Sequence, residues 1–254
     1  MSEKKTVKVL AIGNSFSMDA MTVLWDIFKS AGYEEVILGD LYIAGCSLET
    51  HWHHIDSNNK AYDYYYNDNG IWQIINNKSV KEVLNSNEWD VVTIQQSSSL
   101  SGIENSFEPF LSNIINFINK NINNKKTKLA WHMTWAYQGT HTNPAFEVFE
   151  YNQIKMFNAI RQNIYNQITT KESISLIIPA GIAIQNLRNT EIGDRLTRDG
   201  YHLSPLGQYT AGLMWFKSIT NKVLSEVSFA PQILSQREVN MAKGATEAAN
   251  TSFE

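Results

Sequence analysis

Val7-Lys8-Val9-Leu10-Ala11-Ile12-Gly13-Asn14-Ser15-Phe16-Ser17 is a short apolar run that stops at a glycine and passes into small polar residues. Residues 7–12 have the continuous apolar character of a strand covered on both faces, and Gly13 marks its end. Met21, Leu24, Trp25 and Phe28 then recur at helical spacing within 18–31, with Gly32 where such a helix would stop. A strand, a turn and a helix in that order predict the first unit of a parallel sheet.

The alternation continues downstream. Residues 35–44 read as a second strand closed by Gly45, 90–95 as a third followed by a Ser-rich loop, 128–134 as a fourth, and 174–178 as a fifth ending at Pro179. Between the last three, 107–122 carries Phe110, Leu111, Ile114, Ile115 and Ile118, and 145–168 carries Phe149, Ile154, Phe157, Ile160 and Ile164, both at helical spacing. Strands separated by helices of this length imply a three-layer α/β/α class. With right-handed crossovers they suit a flavodoxin-like, doubly wound parallel five-stranded sheet. Residues 61–77 break the pattern: a tyrosine run, Asp68-Asn69-Gly70 and an Ile/Trp run predict an aromatic β-hairpin inserted on the sheet. After Val227 the apolar content falls, so 229–254 is expected to be a peripheral helix and frayed tail on one domain spanning 1–254.

Composition excludes several classes. A chain of 254 residues, 43% hydrophobic, can bury a sizeable core by packing alone. A net charge of −4, with no cluster of Lys and Arg, gives no footprint for nucleic acid. Cys46 is the one cysteine, which removes intramolecular disulfides and Cys-rich zinc modules. No apolar run reaches the roughly 20 residues that span a bilayer, and no signal-peptide core follows Met1. The expectation is a soluble chain without metal or cofactor, cytoplasmic as written, or periplasmic or secreted if an export signal had been removed. Oligomeric state is left open.

In an open α/β sheet, sites form outside the carboxyl ends of the strands. Four polar stations fall there: Gly13-Asn14-Ser15, Gly45-Cys46-Ser47, Gln95-Gln96-Ser97-Ser98-Ser99, and Asp199-Gly200-Tyr201-His202. A serine hydroxyl needs an adjacent base, usually a histidine oriented by a carboxylate. Asp199 and His202 are three apart, so one turn of loop can bring the carboxylate to Nδ1 and leave Nε2 facing Ser15. Ser204-Pro205 reads as the cap and first position of a helix that anchors this loop.

These blocks resemble the SGNH or GDSL hydrolase superfamily. Gly13-Asn14-Ser15-Phe16-Ser17 matches its Gly-Asp-Ser block, in the Gly-Asn-Ser form that some branches carry, and Asp199-Gly200-Tyr201-His202 matches its C-terminal Asp-x-x-His block. The resemblance, over about residues 7–222, implies Ser15 as nucleophile with His202 and Asp199. It also implies Gly45 as an oxyanion-hole glycine beside the Ser15 amide. The family's Gly-x-Asn block departs: Gln95 or Gln96 is the expected third donor, with Ser99 as fallback.

Other residues carry competing readings. His51 and His54 share a helical face, but without a third ligand a solvated or substrate-facing surface is favoured over zinc, with His53 beside them. His132 is expected to be a hydrogen-bonded core residue and Cys46 a buried inert thiol; Arg195 and Arg198 either tie down their loop or bind an acidic group. Trp135 and Tyr137 fall at the active edge, where they would stack on a sugar or pack a lid. The expected function is hydrolysis of a short acetyl ester on a small molecule or saccharide. An acyltransferase with the same triad and a non-catalytic carbohydrate binder are the alternatives; a flavodoxin-type nucleotide binder lacks its phosphate loop.

Overall fold

A computed structural model describes residues 5–249. In chain order its elements are β1 (Thr6–Gly13), α1 (Ser15–Met21), α2 (Leu24–Ser30), β2 (Glu35–Tyr42), α3 (Leu48–Asp56), β3 (Tyr62–Asn67), β4 (Gln73–Lys78), α4 (Val80–Leu84), β5 (Val91–Ile94), α5 (Phe110–Asn121), β6 (Lys128–His132), α6 (Gln153–Asn163), β7 (Leu176–Ile178), α7 (Ala180–Arg188), α8 (Pro205–Thr220) and α9 (Gln236–Glu247). The sheet runs β4-β3-β2-β1-β5-β6-β7. Its five strands from β2 to β7 are parallel, in the doubly wound order expected. β3 and β4 pair antiparallel, with β3 alongside β2, so the hairpin widens the sheet at one edge.

Helices α1, α2, α7, α8 and α9 contact one another in one layer, and α3, α4 and α5 in the other. The β1 segment Val9-Leu10-Ala11-Ile12 is buried, as a strand with both faces covered must be. α8 is sequestered almost throughout, from Leu206 to Phe216. Gly207 lets it approach closely: a Cβ there would lie 2.6 Å from the Leu196 carbonyl oxygen. α9 docks on this layer through Val239, Ala242 and Ala245. The end of the expected tail, 250–254, lies outside the described residues. Among the described residues no helix is long and apolar enough to cross a membrane.

Two expected helices are broken. The Thr22 hydroxyl bonds back to the Met18 carbonyl (2.9 Å) and Val23 leaves the helical region (φ −116°, ψ 12°), dividing 18–31 into α1 and α2. Within 145–168, Glu150 and Tyr151 are left-handed (φ 56° and 50°), so a 3₁₀ turn precedes a new start at Asn152, whose side chain caps Lys155 N–H at 3.0 Å. A π turn, Ile164–Ile168, then extends α6. The hairpin loop is longer than a two-residue turn, and Asn67 Oδ1 holds Gly70 N–H at 2.7 Å.

Candidate active site

The carboxyl end of β1 delivers Ser15 as the first residue of α1. Asn14 is the N-cap, with extended backbone (φ −149°, ψ −158°). Its Oδ1 accepts from Phe16 N–H (3.0 Å), while its own N–H donates to Ser17 Oγ (3.1 Å), whose hydroxyl returns to the Asn14 carbonyl (2.7 Å). Gly13 is required by space: a Cβ there would sit 2.3 Å from Ser17 Oγ. Because Ser15 opens the helix, no helical carbonyl lies behind its amide.

His202 arrives from far along the chain. Arg198 N–H donates to the His202 carbonyl (2.8 Å) and Ser204 N–H to the Leu196 carbonyl (2.9 Å), forming a narrow loop. Gly200 turns its tip at φ +98°, a left-handed geometry that favours glycine. At that tip Asp199 Oδ1 accepts the amides of His202 (2.8 Å) and Tyr201 (3.2 Å), and its Oδ2 lies 2.6 Å from His202 Nδ1. A carboxylate only accepts, so Nδ1 carries the proton and Nε2 is the acceptor facing Ser15 Oγ at 2.8 Å. Partial burial pushes the Asp199 carboxyl up, but the bonds from His202 and the two amides outweigh it and hold the group below the ordinary carboxylate range.

Asp19 joins the two halves. Buried on α1 one turn beyond Ser15, it accepts from Leu203 N–H (2.7 Å), Arg198 Nη1 (2.9 Å) and Gln208 Nε2 (2.8 Å). Arg198 also donates to the Leu203 carbonyl, and Arg195 Nε to the Ile192 carbonyl at 2.8 Å, so both arginines tie down the loop. Beside the Ser15–His202 contact lies a cleft of about 180 Å³ whose walls include Ser15, Tyr42, Gly45, Ser98, Tyr201 and His202. Gly45 adopts φ +62° in the turn after β2.

Several expected site residues lie elsewhere. Gln95 Nε2 donates to Asn14 Oδ1 (2.9 Å) and its Oε1 meets His132 Nδ1 (2.7 Å). Gln96 Oε1 accepts from Leu48 and Ser97 amides (3.0 and 2.8 Å), and its Nε2 donates to Ser106 O (2.8 Å). Both amides are buried, bonded within the structure and away from the cleft; among the described residues the Ser98 side of that loop, not Ser99, borders it. Trp135 and Tyr137 are likewise buried rather than open to a sugar. β6 ends earlier than expected, and Trp135 turns inward to stack on Phe16 (centroids 4.3 Å) and donate to the Tyr201 carbonyl (2.7 Å). Tyr137 hydroxyl pairs with Ser98 Oγ at 3.0 Å.

The remaining candidates are structural. His132 is a fully buried core residue, as its sequence position suggested. His51 is also buried, with Nδ1 on Tyr62 hydroxyl at 3.0 Å; among the described residues no group of three or more His, Cys, Asp or Glu could hold a metal. Burial pushes the Cys46 thiol up to about 12, well out of its nucleophilic range. Asp19, Tyr42 and Tyr201 carry no local sequence signal for their roles, because each depends on a partner distant in the chain.

Comparison with known proteins places this geometry in context. No curated protein matches the chain. A candidate SGNH hydrolase from Slackia heliotrinireducens is similar in structure at a TM-score of 0.54 and 16% identity, over 85% of this chain and 100% of that one. A catalytic mutant of an acetylxylan esterase from Geobacillus stearothermophilus has a TM-score of 0.54 and 11% identity, over 91% of this chain and 100% of that one. At these identities the likeness is one of fold, an α/β/α sandwich shared with SGNH-type proteins. A crystal structure of a DUF4886 family protein from Bacteroides uniformis is 36% identical, with a TM-score of 0.91 over 95% of this chain and 93% of its own. The family model for DUF4886, described as a domain of unknown function, matches residues 8–249, and the chain belongs to that family.

Proposed function

We propose that the protein is a serine esterase that removes short acyl groups, acetyl above all, from carbohydrate esters. The observation that carries this reading is the continuous contact Ser15 Oγ to His202 Nε2 (2.8 Å) and His202 Nδ1 to Asp199 Oδ2 (2.6 Å). His202 takes the Ser15 proton as Oγ attacks the ester carbonyl, and the imidazolium returns it to the departing alcohol. Water, deprotonated by the same imidazole, then cleaves the acyl-enzyme and regenerates Ser15. Asp199 remains a carboxylate throughout and stabilises the charged ring.

The oxyanion that forms at each addition needs donors already in place. The Ser15 and Gly45 amides are two. For the third, Ser98 replaces the glutamines: it borders the cleft, and when Tyr137 hydroxyl donates to Ser98 Oγ, the serine O–H is released toward the substrate. The cleft of about 180 Å³ suits an acetyl group. Among the described residues neither lysine nor arginine lines it, which favours a neutral ester over a phosphate or carboxylate substrate. Tyr42 and Tyr201, half-buried on its walls, offer aromatic surface to a sugar ring.

The test is hydrolysis of acetylated sugars and p-nitrophenyl esters of increasing acyl length, with wild type beside Ser15→Ala. Acetyl esters should be cleaved fastest and only by the wild type. Undiminished turnover in Ser15→Ala would sink the triad, and a preference for long acyl chains would sink the short-acyl assignment.

A further inference from the structure

The buried side chains beneath the nucleophile form a chain whose every donor and acceptor can be assigned from the backbone outward. Phe16 N–H can only donate, so the Asn14 atom 3.0 Å from it is Oδ1. The Cys46 carbonyl can only accept, so the Asn14 atom 3.1 Å from it is Nδ2. Gln95 approaches the same Oδ1 at 2.9 Å and must present Nε2, which leaves its Oε1 facing His132 Nδ1 at 2.7 Å. That nitrogen therefore carries the proton. His132 Nε2 has no partner among the described residues and is enclosed with the Trp215 ring, edge-on at 5.0 Å, and the Trp135 ring at 6.0 Å.

We propose that Asn14, Gln95 and His132 form a positioning relay that sets the distance between the Ser15 and Gly45 amides. Asn14 caps the helix that begins with the Ser15 amide, and through the Cys46 carbonyl it holds the turn that contains Gly45. The main-chain bond between these turns, from Ile43 N–H to the Gly13 carbonyl, is 3.4 Å, so the Asn14 amide is the closer tie. An aspartate at 14 could still cap the helix, but its second oxygen would face the Cys46 carbonyl with nothing to donate. Asn14 thus supplies one donor and one acceptor on a single planar group. Gln95 fixes the orientation of that group, and His132 fixes Gln95.

The relay itself carries no charged group. Burial keeps the His132 imidazole unprotonated down to about pH 3 and the Cys46 thiol protonated up to about 12. Burial also raises the carboxyl of Asp40, which lies against Ser17 on the other side of the turn, well above its usual range. The charged groups of the site, Asp199 and Asp19, sit on the triad side and bond His202, Leu203, Arg198 and Gln208 instead.

The role rests on the esterase reading, and isosteric variants test it through a property that simple packing would not alter. In Asn14→Asp and Gln95→Glu a carboxyl stands where an N–H donated. The ionised form opposes an acceptor, whereas the protonated form can donate again. Relative to wild type at the same pH, kcat for p-nitrophenyl acetate should be about 10- to 100-fold lower at pH 8, with KM within about twofold, and the ratio should recover as pH falls toward 5. A ratio independent of pH, or an undiminished kcat, would overturn the relay. Should either variant fail to fold, His132→Gln, which keeps a donor for Gln95, should exceed His132→Leu in kcat by about tenfold; equal values would overturn the relay too. A readout without turnover separates this inference from the esterase reading. In nitrogen-15 spectra of the wild type, His132 should be protonated at Nδ1 and bare at Nε2, whether or not Ser15 is reactive, and the opposite tautomer would refute the relay alone.

Discussion

Replacing Asp19 should loosen the joint between nucleophile and base. In Asp19→Ala the Leu203 amide loses its 2.7 Å partner inside the fold, and a buried donor left unpaired costs roughly 1–3 kcal/mol. Loss of the 2.8 Å Gln208 bond adds about 0.5–1.5 kcal/mol. The Arg198 side chain is 48% exposed, so solvent screens that ion pair and it contributes at most about 1 kcal/mol. The sum is about 1.5–5.5 kcal/mol. For a chain of 254 residues, an unfolding entropy of about 2.1 cal/mol/K per residue makes each kcal/mol worth about 2 °C, so the melting temperature should fall by about 3–11 °C. Because the freed loop carries His202, the rate of acylation should drop by about 100-fold, the usual effect of displacing a reacting group by an ångström. Melting followed by circular dichroism and Ser15 labelling by a fluorophosphonate measure the two effects. A melting temperature within about 1 °C of wild type, with undiminished labelling, would show that Asp19 does not join the halves.

Three further outcomes can be measured. In Asp199→Asn the backbone amides of Tyr201 and His202 hold Oδ1, which turns an NH₂ toward His202 Nδ1 and forces the proton onto Nε2; kcat should fall about 10²- to 10⁴-fold with KM little changed, and a loss under about threefold would contradict the assignment. His51 and His132 are held neutral by burial, each to about pH 3 against 6.5 when unfolded, so the unfolded chain binds protons first as pH falls. Their contribution is complete above pH 6.5 and is lost toward pH 3: the fall in urea-unfolding stability from pH 8 to pH 5 should be about 2 kcal/mol smaller in His132→Gln than in the wild type, and an unchanged difference would refute the burial argument. With its thiol pushed to about 12, Cys46 should resist iodoacetamide at pH 8 while folded and alkylate readily in denaturant, as mass spectrometry would show; fast modification of the native protein would place the thiol in solvent.

The parts of this structure legible in the sequence are those encoded locally. The apolar run before Gly13 specifies β1, the alternation of strands and helices specifies the parallel order, and the three-residue spacing of Asp199 and His202 lets one loop bring them together. The helix breaks were hidden because their causes are not glycine or proline: Thr22 bonds its own helix, and Glu150 and Tyr151 adopt left-handed backbone. Gln95 and Gln96 turn inward because of partners in other segments, Asn14 and His132 for the first, Leu48 and Ser106 for the second, which the local sequence does not reveal. Asp19, Tyr42 and Tyr201 were overlooked because an acid on an apolar helix or a tyrosine at a strand end becomes meaningful only beside residues from another part of the chain.

The bond from Ser15 to His202 closes a separation of 187 residues. During synthesis at about 5–20 residues per second, the nucleophile would wait roughly 10–40 s for its base to emerge. Throughout that interval Ser15 is an ordinary alcohol, and the nascent chain cannot act on esters around it. On the esterase reading, reactivity at Ser15 therefore depends on the chain as far as His202 and on α8, which follows its loop.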